Sequence, residues 1–215
     1  MDVVLDNLDV YVEGFTVTLK LTLVAALLAL LLGTVIAAMR VSPVPPFRAA
    51  GTLYVTLIRN TPLTVVFFLV FFGLPEVDVL LSFFTFAVVA LTLYTAAFVA
   101  EAVRSGINSV DSGQAEASRS VGMTFGQTLR LVVLPQAFAN SIPPLASVFI
   151  ALLKNSSIAS AFFVAEALQR TQGLINANGQ AVLWILAGAA LGYLLLALVA
   201  SFLFSLLERA VAVAR

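Results

Sequence analysis

Long apolar runs separated by short polar links organise this sequence. A helix needs about 20 apolar residues to cross a hydrocarbon core of roughly 30 Å. Five segments reach or approach that length: Phe15–Met39, Leu53–Gly73, Leu81–Val103, a run within Leu131–Val164, and Ala181–Leu207. Pro135, Pro143 and Pro144 interrupt the fourth. The runs are too long and too continuous for barrel strands, which alternate over short stretches. They predict an all-α integral membrane protein with five transmembrane helices.

The links add detail. Val41–Phe47 reads VSPVPPF, which predicts a stiff, non-helical connector. Gly73–Asp78 reads GLPEVD, a short turn. Arg104–Leu131 is too polar to span, and Ala165–Gln180 is a polar link before the last run. Within Arg104–Leu131, Asp111 or Ser112 is placed to cap a short helix and Gly122 to end it.

Composition agrees with a membrane protein. Of the 215 residues 61% are hydrophobic and 10% charged, whereas soluble domains hold about 25% charged residues. The formal net charge of zero offers no basic surface for nucleic acid. With no Cys and no His, a disulfide framework, a thiolate nucleophile, a His-based triad and the usual zinc sites are excluded. No stretch reads G-x-x-x-x-G-K-[ST], so this chain carries no P-loop of its own. No cofactor is implied.

The cations set an orientation. Arg40, Arg48, Arg59, Arg104, Arg119, Arg130, Arg209 and Arg215 fall on one side if five spans alternate. The other side holds the acidic N-terminal segment, Glu76, Asp78, Glu166 and Arg170. Lys and Arg favour the cytoplasmic face, so the N-terminus is expected outside and the C-terminus inside. Residues 1–14 are then an extracytoplasmic segment and residues 15–210 a single transmembrane domain. The first 14 residues carry four acids and no Lys or Arg, the wrong charge for a signal peptide.

The link between the third and fourth spans contains Glu116-Ala117-Ser118, then three residues, Gly122, nine residues, and Val132-Val133-Leu134-Pro135. It resembles the EAA loop of permease subunits in binding-protein-dependent ABC importers: E-A-A, three residues, G, nine residues, I-x-L-P. Ser118 and Val132 depart from the pattern by similar residues. Ile58–Leu63 (IRNTPL), Tyr94–Asn108 (YTAAFVAEAVRSGIN), Leu134–Ala137 (LPQA) and Leu153–Ile158 (LKNSSI) resemble the polar amino acid branch: the glutamate, glutamine, histidine and arginine permeases. RNTPLT, FVAEAVRSGIN, GQAEASRS and KNSSIAS look most like actinobacterial glutamate permeases.

The resemblance implies a MetI-like permease fold in the cell membrane, with a cytoplasmic coupling helix within residues 111–125. It implies a polar amino acid as cargo, glutamate or a related acidic or amide amino acid, moved by ATP-driven alternating access. Its partners would be a dimer of separate ABC ATPase subunits, a second permease subunit forming a heterodimer, and an extracytoplasmic substrate-binding protein. The alternative is a secondary transporter driven by an ion gradient. Small residues at Ala115, Ala117 and Ser118 would let the ATPase backbone approach, while Glu116 and Arg119 offer charges to a groove rim. The family's Glu and Gly correspond to Glu116 and Gly122.

Polar residues inside apolar runs mark a candidate substrate pathway: Arg59, Asn60, Thr61, Glu101, Lys154, Asn155, Ser156 and Ser157. A charge at the bilayer centre is costly, so Lys154 is expected to face cargo, a wet cavity or an ion-pair partner such as Glu101. Glu101 and Arg104, three residues apart, equally suit an anchoring pair, and Arg59–Pro62 equally suits a capped helix start.

Overall fold

The computed structural model describes residues 2–213, and every element assigned among them is helical. Arg215, counted above among the cations of one side, lies outside the described residues. The N-terminal segment is helical, with α1 at Asp2–Leu5. The first span, α2, runs Leu8–Val41 and so starts before the apolar run does.

The second crossing is bent. In place of a proline-rich connector, α3 (Pro45–Arg59) begins at Pro45, because Pro tolerates the first helical turn, whose N–H groups lack intrahelical acceptors. It stops at Asn60, since Pro62 disfavours helical geometry at Thr61. Chain resumes as α4, Leu63–Gly73, and the Leu63–Val77 stretch diverges from α3 by 104°. Among the described residues four helices are long and apolar enough to cross a membrane, and the bent pair, taken as one span, gives a fifth.

The third span, α5, runs Phe83–Asn108 and is capped by the Ser82 hydroxyl, which accepts from the Thr85 N–H. Two short helices follow, α6 (Ser112–Ser120) and α7 (Phe125–Thr128). A π-turn at Leu129–Val133 then leads into α8, Leu134–Asn155. Pro135 has no N–H for the Leu131 carbonyl, and the wider turn, with Leu134 N–H on the Leu129 carbonyl, absorbs the mismatch. Pro143 and Pro144 sit inside α8 without ending it. A 3-10 stretch at Ser156–Phe162 completes the fourth crossing. The polar link before the last span folds as α9, Ala167–Ala177, and α10 (Val182–Val213) is the last span.

Small residues hold the centre. On α2 the buried positions include Gly14, Thr18, Ala25, Ala29, Gly33 and Ala37. On α5 they include Ala87, Ala90, Ala96, Ala97 and Ala100. Between lipid-embedded helices packing is the main attraction, and small side chains permit it. A Cβ on Gly33 would stand 2.6 Å from Val99 Cβ, so only glycine fits there.

The contacts give the directions. Gly33 meets Val99 and Arg40 meets Glu101, so α2 and α5 run parallel and α3–α4 crosses back between them. Gly106 meets Ser141, while Tyr94 and Asn155 share a cavity wall, so α8 returns antiparallel to α5. Phe149 stacks near Phe204, and Gly188 and Gly192 pack on Tyr11 and Phe15, so α10 runs with α2. The bundle therefore has five alternating crossings. The start of α2, α9 and the start of α10 meet at one end. The end of α2, the end of α5, α6 and the end of α10 lie at the other.

Candidate functional site

The loop helix is built by local rules. Asp111 caps α6, its Oδ1 accepting from the Gly113 N–H at 2.7 Å. At the other end Gly122 has φ +90°, a left-handed backbone that glycine adopts without strain. Met123 N–H reaches the Ser118 carbonyl at 3.2 Å and Gly122 N–H the Arg119 carbonyl at 3.0 Å, the paired bonds of a Schellman ending. Thr124 then opens α7 with a reciprocal capping box to Gln127. Two reversals in five residues make α6 a compact projection.

Its faces differ from the expectation in one respect. Glu116, Ala117 and Arg119 are exposed and Ala115 is half-buried. Ser118 is buried, its hydroxyl 2.9 Å from Thr128 Oγ1 and 2.8 Å from the Ala115 carbonyl. It faces inward and pins α6 to α7, because its position falls on the face opposite Glu116.

At the same end, one carboxylate gathers three guanidinium groups. Arg40 Nη1 lies 2.6 Å from Glu101 Oε2, Arg59 Nη1 lies 3.4 Å from the same oxygen, and Arg104 pairs with Oε1. This ties α2, α3 and α5 together. Arg59 also stacks over the Phe98 ring, 5.5 Å from its centroid. Glu101 is therefore not paired with Lys154, the partner considered from sequence. Among the described residues no ion pair to Lys154 occurs, and its side chain is exposed near the end of α8. The helix begins earlier than the apolar run, which moves Lys154 away from the span's centre.

A cavity of about 350 Å³ opens between α5 and α8, lined by Tyr94, Thr95, Phe98, Ser147, Ala151 and Asn155 among others. Thr95 is 2% exposed and its hydroxyl has no hydrogen-bond partner, an unmet donor in the wall. Of the residues singled out from sequence, Asn155 lines this space and Arg59 stands behind Phe98. Asn60 and Thr61 turn their side chains back to the Thr56 and Leu57 carbonyls, at 2.7 and 2.8 Å, and close the end of α3. Ser156 is buried on the Leu153 carbonyl. Ser157 lines a separate, Phe-walled space of about 460 Å³ beside Phe68, Phe71 and Phe162. Tyr94, Thr95 and Phe98 were not singled out. A threonine one and three residues from two aromatics, inside an otherwise apolar run, was the available signal.

At the opposite end Glu166 was noted only as a charge of one side. It is fully buried and caps α9, Oε1 accepting from Gln169 N–H at 2.9 Å. It lies in the link between two spans, and burial pushes its carboxyl above the ordinary carboxylate value although its hydrogen bonds oppose the shift.

Three comparisons bear on this arrangement. The family described as "Binding-protein-dependent transport system inner membrane component" matches residues 24–213. The probable glutamine ABC transporter permease protein GlnM of Bacillus subtilis is 38% identical over 209 residues, 97% of this chain and 96% of its own. The glutamate transport system permease protein GluC of Corynebacterium glutamicum is 41% identical over 200 residues, 86% of each chain. In structure, this chain is similar to an amino acid ABC transporter crystallised with histidines, with TM-score 0.89, 35% identity and 96% of both chains covered.

Proposed function

This chain belongs to the binding-protein-dependent transport system inner membrane components, as an amino-acid ABC permease, and from that premise we propose that it imports an acidic or amide amino acid, glutamate or glutamine. It is a multi-pass component of the inner membrane and a part of a transporter. A self-sufficient secondary transporter does not fit that membership.

One observation carries the mechanism. Helix α6 is joined covalently to both helices that wall the Thr95–Asn155 cavity, to α5 on one side and through α7 to α8 on the other. A push on α6 is thus delivered to both walls of the cavity together. The exposed Glu116, Ala117 and Arg119, with Ala115 beside them, form the contact for a separate ATPase dimer. Ser118 and Gly122 hold the helix in shape. ATP-driven closure of that dimer would shift the walls between inward-open and outward-open forms. The α6 end is then cytoplasmic, as the positive-inside bias requires, and the Glu166 end faces the substrate-binding protein.

Cargo passes the cavity, where the unmet Thr95 hydroxyl and the Asn155 amide offer hydrogen bonds. Arg59, Lys154 and Ser157 flank the route, with Asn60, Thr61, Glu101 and Ser156 shaping its ends. The relatives named for glutamine and glutamate transport support the cargo class. A second permease of different sequence completes the pore. The domain spans residues 15–210, preceded by an outer segment, residues 1–14.

Reconstituted with its ATPase, sister permease and binding protein, the chain should support uptake that needs ATP and survives ionophores. Unlabelled glutamate and glutamine should compete, and arginine should not. Competition by arginine alone would overturn the cargo; uptake by this polypeptide without ATP or partners would overturn the mechanism.

A further inference from the structure

Among the described residues Glu166 is the only fully buried acid, and the cations near it are spoken for. Arg170, from α9, directs Nη1 to Glu13 Oε2 at 2.7 Å and Nε to the Ala165 carbonyl at 3.3 Å. From α2 come Glu13, so paired, and Tyr11, whose hydroxyl donates to the Ile185 carbonyl at 2.9 Å. From α10 comes Tyr193, hydrogen-bonded to Glu166 Oε2. The turn at Ser156–Phe162 brings no charge. Glu166 thus contacts three helices through neutral partners only. A buried charge without a counter-ion is costly, and such a group keeps its proton instead.

The contacts around Thr18 point the same way by counting protons. Thr18 Oγ1 lies 3.2 Å from the Gly14 carbonyl and 3.3 Å from Glu166 Oε2, and it accepts from Ala167 N–H at 3.2 Å. A hydroxyl has one proton. If Glu166 were ionised, that single proton would face two acceptors and one contact would go unmade. If Glu166 carries a proton on Oε2, it donates to Thr18, Thr18 donates to Gly14, Tyr193 donates to Glu166, and every contact has one proton. The seam is tight as well, since a Cβ on Gly14 would stand 2.7 Å from Ala167 Cα.

We infer that Glu166 is a positioning residue: a neutral carboxylic acid whose proton clamps α9 onto α2 and α10, so that alkalinisation releases this end of the bundle. The direction follows from linkage. The bound form holds its proton more tightly than an opened one, so the clamp is complete below the ordinary carboxylate value and weakens as pH rises through the raised one. Release then leaves the carboxylate to water and to Arg170.

The test uses the full chain in lipid nanodiscs, so it does not depend on the transport reading. The infrared carbonyl stretch of a protonated carboxyl should be present at about pH 7, where exposed carboxyls are ionised, and absent in Glu166→Gln. Backbone hydrogen exchange of α9, taken as the ratio of wild type to Glu166→Gln at each pH, should be at its lowest at about pH 4, below the ordinary carboxylate value. It should then rise by up to about tenfold per pH unit before levelling off. Gln is the informative variant because it does not titrate and its amide nitrogen can donate both to Thr18 and to the Tyr193 oxygen. A ratio constant with pH, or no acid carbonyl band in the wild type, overturns the inference. If Glu166→Gln fails to insert, the wild-type band and its loss at high pH decide alone.

Discussion

Arg40 Nη1 sits 2.6 Å from Glu101 Oε2, locking the end of the first span to the end of the third. Two more guanidinium groups, from Arg59 and Arg104, share the same carboxylate. The four members are not equivalent. Removing Arg40 leaves Glu101 with two partners, whereas Glu101→Gln leaves three guanidinium groups around a neutral side chain. Glu101→Gln should therefore cost about 2–3 kcal/mol of stability and Arg40→Gln about 1–2 kcal/mol. Thermal unfolding of both variants and the double variant in detergent checks this. Equal losses would show that Glu101 has no central place.

Gly122 and Glu116 should separate shape from contact. Gly122→Ala places a side chain at φ +90° and should cost about 1–2 kcal/mol locally, with looser α6 exchange. Glu116→Lys changes an exposed group and should leave thermal stability within about 0.5 kcal/mol. Glu116→Lys and the larger Gly122→Arg should nevertheless abolish uptake and weaken ATPase co-purification, with insertion intact. Normal co-purification together with normal uptake would remove α6 from the coupling role.

Thr95 has a buried hydroxyl with nothing to bond. Thr95→Val keeps the shape and removes the unmet group, so stability should be unchanged or slightly raised. If cargo uses the hydroxyl, the KM for uptake should rise about threefold to tenfold, the worth of one neutral hydrogen bond. A stability gain with unaltered KM would make the cavity a packing defect.

Lys154 is exposed, and no ion pair is lost with it among the described residues. Lys154→Met should therefore leave the unfolding temperature in place while lowering uptake about tenfold, the scale of one lost charge-assisted contact. Near-normal uptake would relegate it to the scaffold.

The alternating crossings place the two ends of the described chain at opposite ends of the bundle. Reporter tags at the N- and C-termini should label from outside and inside respectively. Labelling on the same side would overturn the five alternating crossings.

The sequence by itself determined the class, the rough place of each span, and the loop with its cap and terminating glycine, while the first two spans begin earlier than their apolar runs, at Leu8 and Pro45. Each is a local property: apolar length, a carboxylate one residue before a helix, a glycine where the backbone turns left-handed. The expected orientation rests on the Arg-rich links for the same reason, since charge bias needs no contact map. What only the tertiary structure decided depends on helix rotation and on partners far apart in the chain. Glu101 met Arg40 across 61 positions, not Lys154. Glu166 met Thr18 across 148. The inward face of Ser118 and the cavity at Thr95 also emerged only there. Apolar periodicity locates a span in lipid, but helices buried by lipid and helices buried by one another are equally apolar. Which face turns inward is set by small-residue packing such as Gly33 on Val99, and that is written in pairs of residues, not in any one stretch.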